Sequence, residues 1–150
     1  MDAVPKDAVV FISQPTPHIN AVFGGLMALR ARQLNATGTV VDGNLRDLEE
    51  HRHLEFPVFA KGVSTSAGGP LYRASEVNVP VKLNSTVQER WIHPGDYIIA
   101  DLNGVVCVPE ASVADVIDVV SKIVEADEKC AEAIKGGRSV AETFKEIRGQ

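Results

Sequence analysis

Apolar residues come in short runs over the first two thirds of the chain and at helical spacing over the last third. Residues 8–13 are apolar through Ile12 and end at a Pro-rich turn, Gln14-Pro15-Thr16-Pro17. A run bounded by turn formers in this way predicts a buried strand. Between Asn20 and Leu34, Val22, Leu26 and Leu29 follow helical spacing, and Arg30, Arg32 and Gln33 lie late in the segment, where cations favour the helix dipole. Residues 37–41 predict a second strand, closed by the turn former Asp42-Gly43. Residues 46–54 predict a short polar helix or helical turn, and residues 57–60 a third strand.

Residues 62–75 are rich in Gly, Ser and Thr and predict a mobile loop, the best candidate for a flap. Residues 77–83 alternate apolar and polar positions, with Pro80 suggesting an edge or bulge. A meander is expected next. Residues 90–92 lead into the turn Pro94-Gly95-Asp96, residues 97–100 form a strand, and Asn103-Gly104 turns the chain into residues 105–108. Val113, Val116, Ile117, Val120, Ile123 and Val124 then mark one face of a helix. Gly136-Gly137 ends it, and residues 139–147 predict a final short helix. The pattern is α/β, with central strands and C-terminal helices.

A chain of 150 residues that is 45% hydrophobic suits one compact domain over residues 1–150, long enough to bury a core. The net charge of −5 and pI near 5.3 provide no basic face for nucleic acid. Cys107 and Cys130 are too few for a disulfide framework and lack metal-ligand spacing; Cys107, in an apolar run, is expected to be a buried structural thiol. No signal-like or membrane-length apolar stretch appears, so a cytoplasmic setting is expected.

Candidate chemistry gathers at two places. Glycine is unfavourable inside a helix, so Gly24-Gly25 requires a reason. One reason is a loop-to-helix junction that opens the N–H groups of Gly25, Leu26 and Met27 to an anion. The other is close packing of helix on strand. About twenty residues on, Arg46-Asp47 follows a buried strand and a glycine turn. Arg grips carboxylates in bidentate fashion, and Asp is a hard oxygen ligand for Mg²⁺. A solvated pair at a helix start is the alternative. His51-Arg52-His53 is a poor metal motif, because residues two apart on a helix face different ways. His18 and His93 are expected on the surface, Asp96 in a turn, and Lys61 and Lys82 have no partner pattern to suggest Schiff-base chemistry. No P-loop, dinucleotide fingerprint or nucleophile elbow is present.

The segments Phe23-Gly24-Gly25-Leu26-Met27-Ala28 and Gly38-Thr39-Val40-Val41-Asp42-Gly43-Asn44-Leu45-Arg46-Asp47 resemble the RraA-like family. So do Phe56-Pro57-Val58-Phe59-Ala60, Val77-Asn78-Val79-Pro80-Val81, Pro94-Gly95-Asp96 and Asp101-Leu102-Asn103-Gly104-Val105. The Gly-Gly-Leu-Met form and Ser75-Glu76-Val77-Asn78 are most similar to its fungal branch. This family contains regulators of ribonuclease activity and class II 4-hydroxy-4-methyl-2-oxoglutarate aldolases.

The resemblance implies a swivelling α/β/β sandwich, assembled as a homotrimer or hexamer with sites between subunits. It implies a lyase that cleaves a C–C bond in a pyruvate-like 2-oxo acid, as aldolase or oxaloacetate decarboxylase, with Mg²⁺ or Mn²⁺. Gly24, Gly25, Leu26 and Met27 would bind the substrate carboxylate, Arg46 its carboxylate and keto oxygens, and Asp47 the metal. The alternative is a non-catalytic regulator that binds a ribonuclease or another protein. Two departures bear on the choice. Aldolase members usually carry an acid where this chain has Gly25, so replacing Gly25 with Asp is expected to raise aldolase activity. A neighbouring subunit's acid is sought at Asp127 or Glu128. The chain also begins at what would be a mid-family strand, and a sheet shortened in this way is expected to favour oligomerisation or instability. The family's older methyltransferase label finds no matching motif.

Overall fold

The computed structural model describes residues 1–17, 19–69 and 71–149. His18, expected on the surface, lies outside them. The chain divides into two compact units, residues 1–107 and 108–150.

The first unit is built on a parallel sheet. Its central strand, β3 (Gly38–Leu45), is buried along nearly its whole length. Strand β4 (Val58–Val63) covers one edge of β3. On the other edge, β1 (Val9–Ser13) pairs with residues 38–42, and β2 (Ala21–Phe23) pairs beyond it with Asn44 and Leu45. Helix α1 (Gly25–Gln33) and helix α2 (Leu48–His53) connect these strands. Phe23, Ala28, Ala31, Val41, Leu45 and Phe56 form the core between helices and sheet. The alanines at 28 and 31 are fully buried, so α1 approaches the sheet closely.

Several sequence expectations change here. The helix expected over residues 20–34 starts later, because Ala21 and Phe23 join the sheet and Gly24 is extended. Asp42-Gly43 is no turn: β3 runs through it, with a register irregularity against β4 between Val41 and Asn44. Tertiary contacts override the local turn preference. Asp42 is buried and held by Lys61 and Asn84, and the Gln14 side chain fills the space where Gly43 lacks a Cβ. The third strand extends through Val63, into the start of the expected flap. The strand expected over residues 77–83 shrinks to β5 (Val81–Lys82), with Asn78 in left-handed backbone (φ 56°).

β5 pairs antiparallel with β6 (Trp91–Ile92), while β7 (Tyr97–Asp101) and β8 (Gly104–Val108) form a separate hairpin. The continuous meander is therefore two ribbons. The tight turn falls at Leu102-Asn103, one residue earlier than an Asn103-Gly104 turn, and Gly104 opens β8 at φ 142°. Cys107 is half-buried rather than buried. Its Sγ donates to Asp96 Oδ2 at 3.7 Å, and burial, with the Asp96 carboxylate adding to it, raises the thiol above its ordinary value.

The second unit holds α3 (Val113–Lys135) and α4 (Val140–Ile147). Gly137, at φ 92°, ends α3 where the glycine pair predicted. Ser139 Oγ accepts from Glu142 N at 3.3 Å and donates to the Glu142 carboxylate at 2.7 Å, fixing the start of α4. Arg148 pairs with Asp127 and lies over the Phe144 ring at 4.3 Å. Among the described residues, no helix is long and apolar enough to cross a membrane.

Candidate functional site

The two sequence motifs meet in space. Strand β2 ends at Phe23, whose carbonyl accepts from Arg46 N at 3.0 Å, so the end of β3 lies beside the start of α1. Asp47 then adopts left-handed backbone (φ 63°, ψ 47°), which a non-glycine residue enters at a cost. Its Oδ2 accepts from Gly25 N at 3.0 Å and lies 3.3 Å from Arg46 Nε. The Arg46 side chain is 43% exposed and that of Asp47 31%, so the pair is open to solvent at one side.

Both glycines have a steric reason. A Cβ on Gly24 would stand 2.5 Å from Asp47 Oδ2 and 3.0 Å from Arg46 Nε. A Cβ on Gly25 would overlap the Glu50 carboxylate. The glycine pair thus lets two acids and a guanidinium converge on one helix start.

The expected cradle of three N–H groups is partly occupied by the chain itself. Gly25 N donates to Asp47, and Met27 N to the Gly24 carbonyl at 3.0 Å. The Leu26 N–H, in the first turn, has no acceptor within the helix. The side chains of Leu26 and Met27 are exposed.

His51 organises the same corner from beneath. It is buried, its ring stacks on Phe23, and Nε2 donates to the Arg46 carbonyl at 2.7 Å. That bond leaves Nδ1 as a buried lone pair without a donor among the described residues. His53, by contrast, is exposed and bonds the Glu49 carbonyl, so the two histidines diverge. Tyr72, from the loop expected to be a flap, donates its hydroxyl to the Ala21 carbonyl at 3.3 Å. Burial raises its phenol above the ordinary value, and the positive charge of Arg46 partly opposes that rise.

A second polar cluster braces the end of β3. The Asp42 carboxylate is 1% exposed and accepts from Asn84 N at 2.7 Å and Asn84 Nδ2 at 3.0 Å. Lys61 on β4 pairs with it and also donates to the Asn84 carbonyl. Gln14 Oε1 accepts from Asn44 N at 2.9 Å, and its Nε2 donates to the Asn20 carbonyl at 2.9 Å. Sequence reasoning read Asp42 and Gln14 as turn residues, found no role for Lys61 and His51, and did not single out Asn84, Glu50 or Tyr72. Only Gly43, a glycine inside an apolar run, hinted at close approach there.

The Aldolase/RraA model of RraA-like proteins matches residues 1–107. The chain belongs to the RraA-like family. Among its relatives, an uncharacterised protein of Methanocaldococcus jannaschii is 38% identical over 83% of this chain and 57% of its own length. A putative 4-hydroxy-4-methyl-2-oxoglutarate aldolase of Halalkalibacterium halodurans is 31% identical over 89% of this chain and 60% of its own. This RraA-like chain thus spans less than two thirds of the curated relatives it matches.

Solved structures agree on the fold. An uncharacterised protein of Pseudomonas syringae superposes with a TM-score of 0.89 at 26% identity, covering 97% of this chain and 66% of that one. The RNA-processing inhibitor RraA from Thermus thermophilis superposes with a TM-score of 0.59 at 29% identity, covering 70% and 63%. This RraA-like chain therefore has the family's α/β fold, with relatives named both as aldolases and as inhibitors.

Proposed function

We propose that the protein is a divalent-metal-dependent lyase acting on a small 2-oxo acid, with oxaloacetate decarboxylation as its most accessible reaction. The observation that carries this reading is the convergence of Arg46, Asp47 and the α1 N-terminus at one solvent-facing point. The names of the aldolase relatives support it.

Arg46 presents its guanidinium to the substrate carboxylate and keto oxygen, two acceptors spaced for a bidentate donor. Its backbone is fixed at both ends, through N–H to Phe23 and carbonyl to His51, so the side chain starts from a fixed point. The Leu26 N–H and the positive end of α1 add a second donor for the carboxylate. When the C–C bond breaks, charge collects on the keto oxygen, and Arg46 stabilises the enolate there.

The residues fit a hard cation. Asp47 supplies a carboxylate oxygen, and Mg²⁺ is commonly held by one or two carboxylates with water completing its shell. Among the described residues no group of three or more His, Cys, Asp or Glu converges, so Asp47 would hold the ion with water. Bound there, Mg²⁺ or Mn²⁺ would act as a Lewis acid toward the 2-oxo group.

The reading extends to a cytoplasmic homo-oligomer, trimer or hexamer, formed by a single domain over residues 1–150. Exposed Val116, Ile117, Val120, Ile123 and Val124 on α3 are consistent with burial against further protein. Asp127 is committed to Arg148, which leaves Glu128 as the freer of the two acids sought for a neighbour's site.

The test is oxaloacetate decay with Mg²⁺, with EDTA and in the Arg46→Ala variant. Metal-dependent turnover above the metal-only background, lost in Arg46→Ala, is expected. Folded wild-type protein that adds nothing to the background would end the lyase reading.

A further inference from the structure

Around the Arg46–Asp47 corner, most titratable groups already have work. Asp47 takes the Gly25 N–H and lies against Arg46. His51 is buried with Nε2–H on the Arg46 carbonyl. The Tyr72 hydroxyl is spent on the Ala21 carbonyl. Glu50 differs. It is exposed, and among the described residues it has no ion pair and no side-chain hydrogen bond.

Its placement is specific. Asp47 precedes α2 and Glu50 lies in its first turn, and both side chains reach Gly25 at the start of α1. The Glu50 carboxylate fills the volume into which a residue-25 side chain would project, and even Glu50 Cβ stands 2.9 Å from that Cβ position. It therefore lies at the first residue of α1, next to the donors that receive the 2-oxo acid in the reading above.

We infer that Glu50 is the proton-transfer residue of this site, an inference that rests on the lyase reading. In a retro-aldol cleavage its carboxylate accepts the proton of the C4 hydroxyl. The electrons of that O–H bond form the new carbonyl at C4 as the C3–C4 bond breaks. The pair from the broken bond passes into the pyruvate enolate, whose oxygen Arg46 faces. The carboxyl of Glu50 then returns its proton to C3, giving the second pyruvate and restoring the carboxylate. With pyruvate alone, the same residue removes and replaces a methyl proton.

The test follows deuterium entry into the pyruvate methyl group by NMR in D₂O with Mg²⁺, for wild type, Glu50→Gln and the control Glu49→Gln. Mn²⁺ binding is followed in parallel by water-proton relaxation, and folding by thermal melting. Glu50→Gln is expected to lose about 100-fold in exchange rate, the range of a lost general acid–base group. It should keep Mn²⁺ affinity within about twofold, and Glu49→Gln should match wild type. Wild-type exchange that persists unchanged in Glu50→Gln overturns the role of Glu50 and leaves the lyase reading standing. Parallel loss of exchange and Mn²⁺ binding overturns it too, by making Glu50 a cation-holding group. A wild type that neither exchanges pyruvate protons nor decarboxylates oxaloacetate removes the lyase reading and this inference with it.

Discussion

Replacing Lys61 with Met tests what holds the end of β3, and with it Arg46 and Asp47, in place. The Asp42 carboxylate is 1% exposed, so its charge depends on Lys61 and the two Asn84 donors. Breaking a fully buried pair costs about 3–5 kcal/mol, while an exposed pair contributes about 0–1 kcal/mol. The Lys61 side chain is 42% exposed, and solvent screens its half of the interaction. An intermediate loss of about 2 kcal/mol follows for Lys61→Met. Asp42→Asn sets an amide against donors that need an acceptor, and it weakens two charge-assisted bonds, for a loss of about 3 kcal/mol. For a chain of this size that corresponds to a fall in Tm of about 6–12 °C. The double variant should lose less than the sum, by at least about 0.5 kcal/mol, because the residues share one interaction. Urea unfolding followed by circular dichroism measures all three. A Lys61→Met variant within about 0.5 kcal/mol of wild type, or strict additivity in the double variant, would refute the account.

Gly24→Ala places a methyl 2.5 Å from Asp47 Oδ2 and 3.0 Å from Arg46 Nε. It should cut metal-dependent oxaloacetate turnover at least about tenfold, equal to about 1.4 kcal/mol in the barrier, while circular dichroism stays native; full activity would mean the two side chains do not work from these positions. Gly25→Asp, expected from sequence to raise aldolase activity, now has to displace Glu50. A gain in the Glu50→Ala background alone, with none in wild type, is the outcome the geometry favours, and a gain in wild type would count against it. Cys107, whose thiol is raised by burial and by Asp96, holds its proton more tightly than a free thiol. Iodoacetamide should label it more slowly than a free thiol and faster in Asp96→Asn, and mass spectrometry of the Cys107 peptide reads both rates.

Much of the fold is legible because its signals are local. An apolar run stopped by prolines at 14–17 gave β1, Asn103-Gly104 gave the β7–β8 hairpin, and Gly136-Gly137 with Ser139 marked the break between α3 and α4. Asp42-Gly43 misled for the same reason: its local preference is a turn, and the partners that straighten it lie at Lys61 and Asn84. The convergence of the glycine pair with Arg46 and Asp47 could be anticipated from residue chemistry and resemblance. The engagement of the Gly25 N–H by Asp47, and the seat of Glu50 against Gly25, depend on how α1 and α2 cross. No spacing rule encodes that.

The left-handed turn at Asp47 sets a balance of charge. It swings a carboxylate onto the opening of α1, where Arg46 and Glu50 also stand. With the helix end counted as roughly half a positive charge, the corner by itself is close to neutral and slightly negative. A divalent cation would tip it to roughly +1.5, which attracts a dianion about twice as strongly as a monoanion at the same distance. In the proposed decarboxylation oxaloacetate would enter with two negative charges, and the pyruvate left after carbon dioxide departs would keep one. The same electrostatics that draw the substrate in would thus loosen on the product, and oxalate should compete better than pyruvate by a margin that salt narrows.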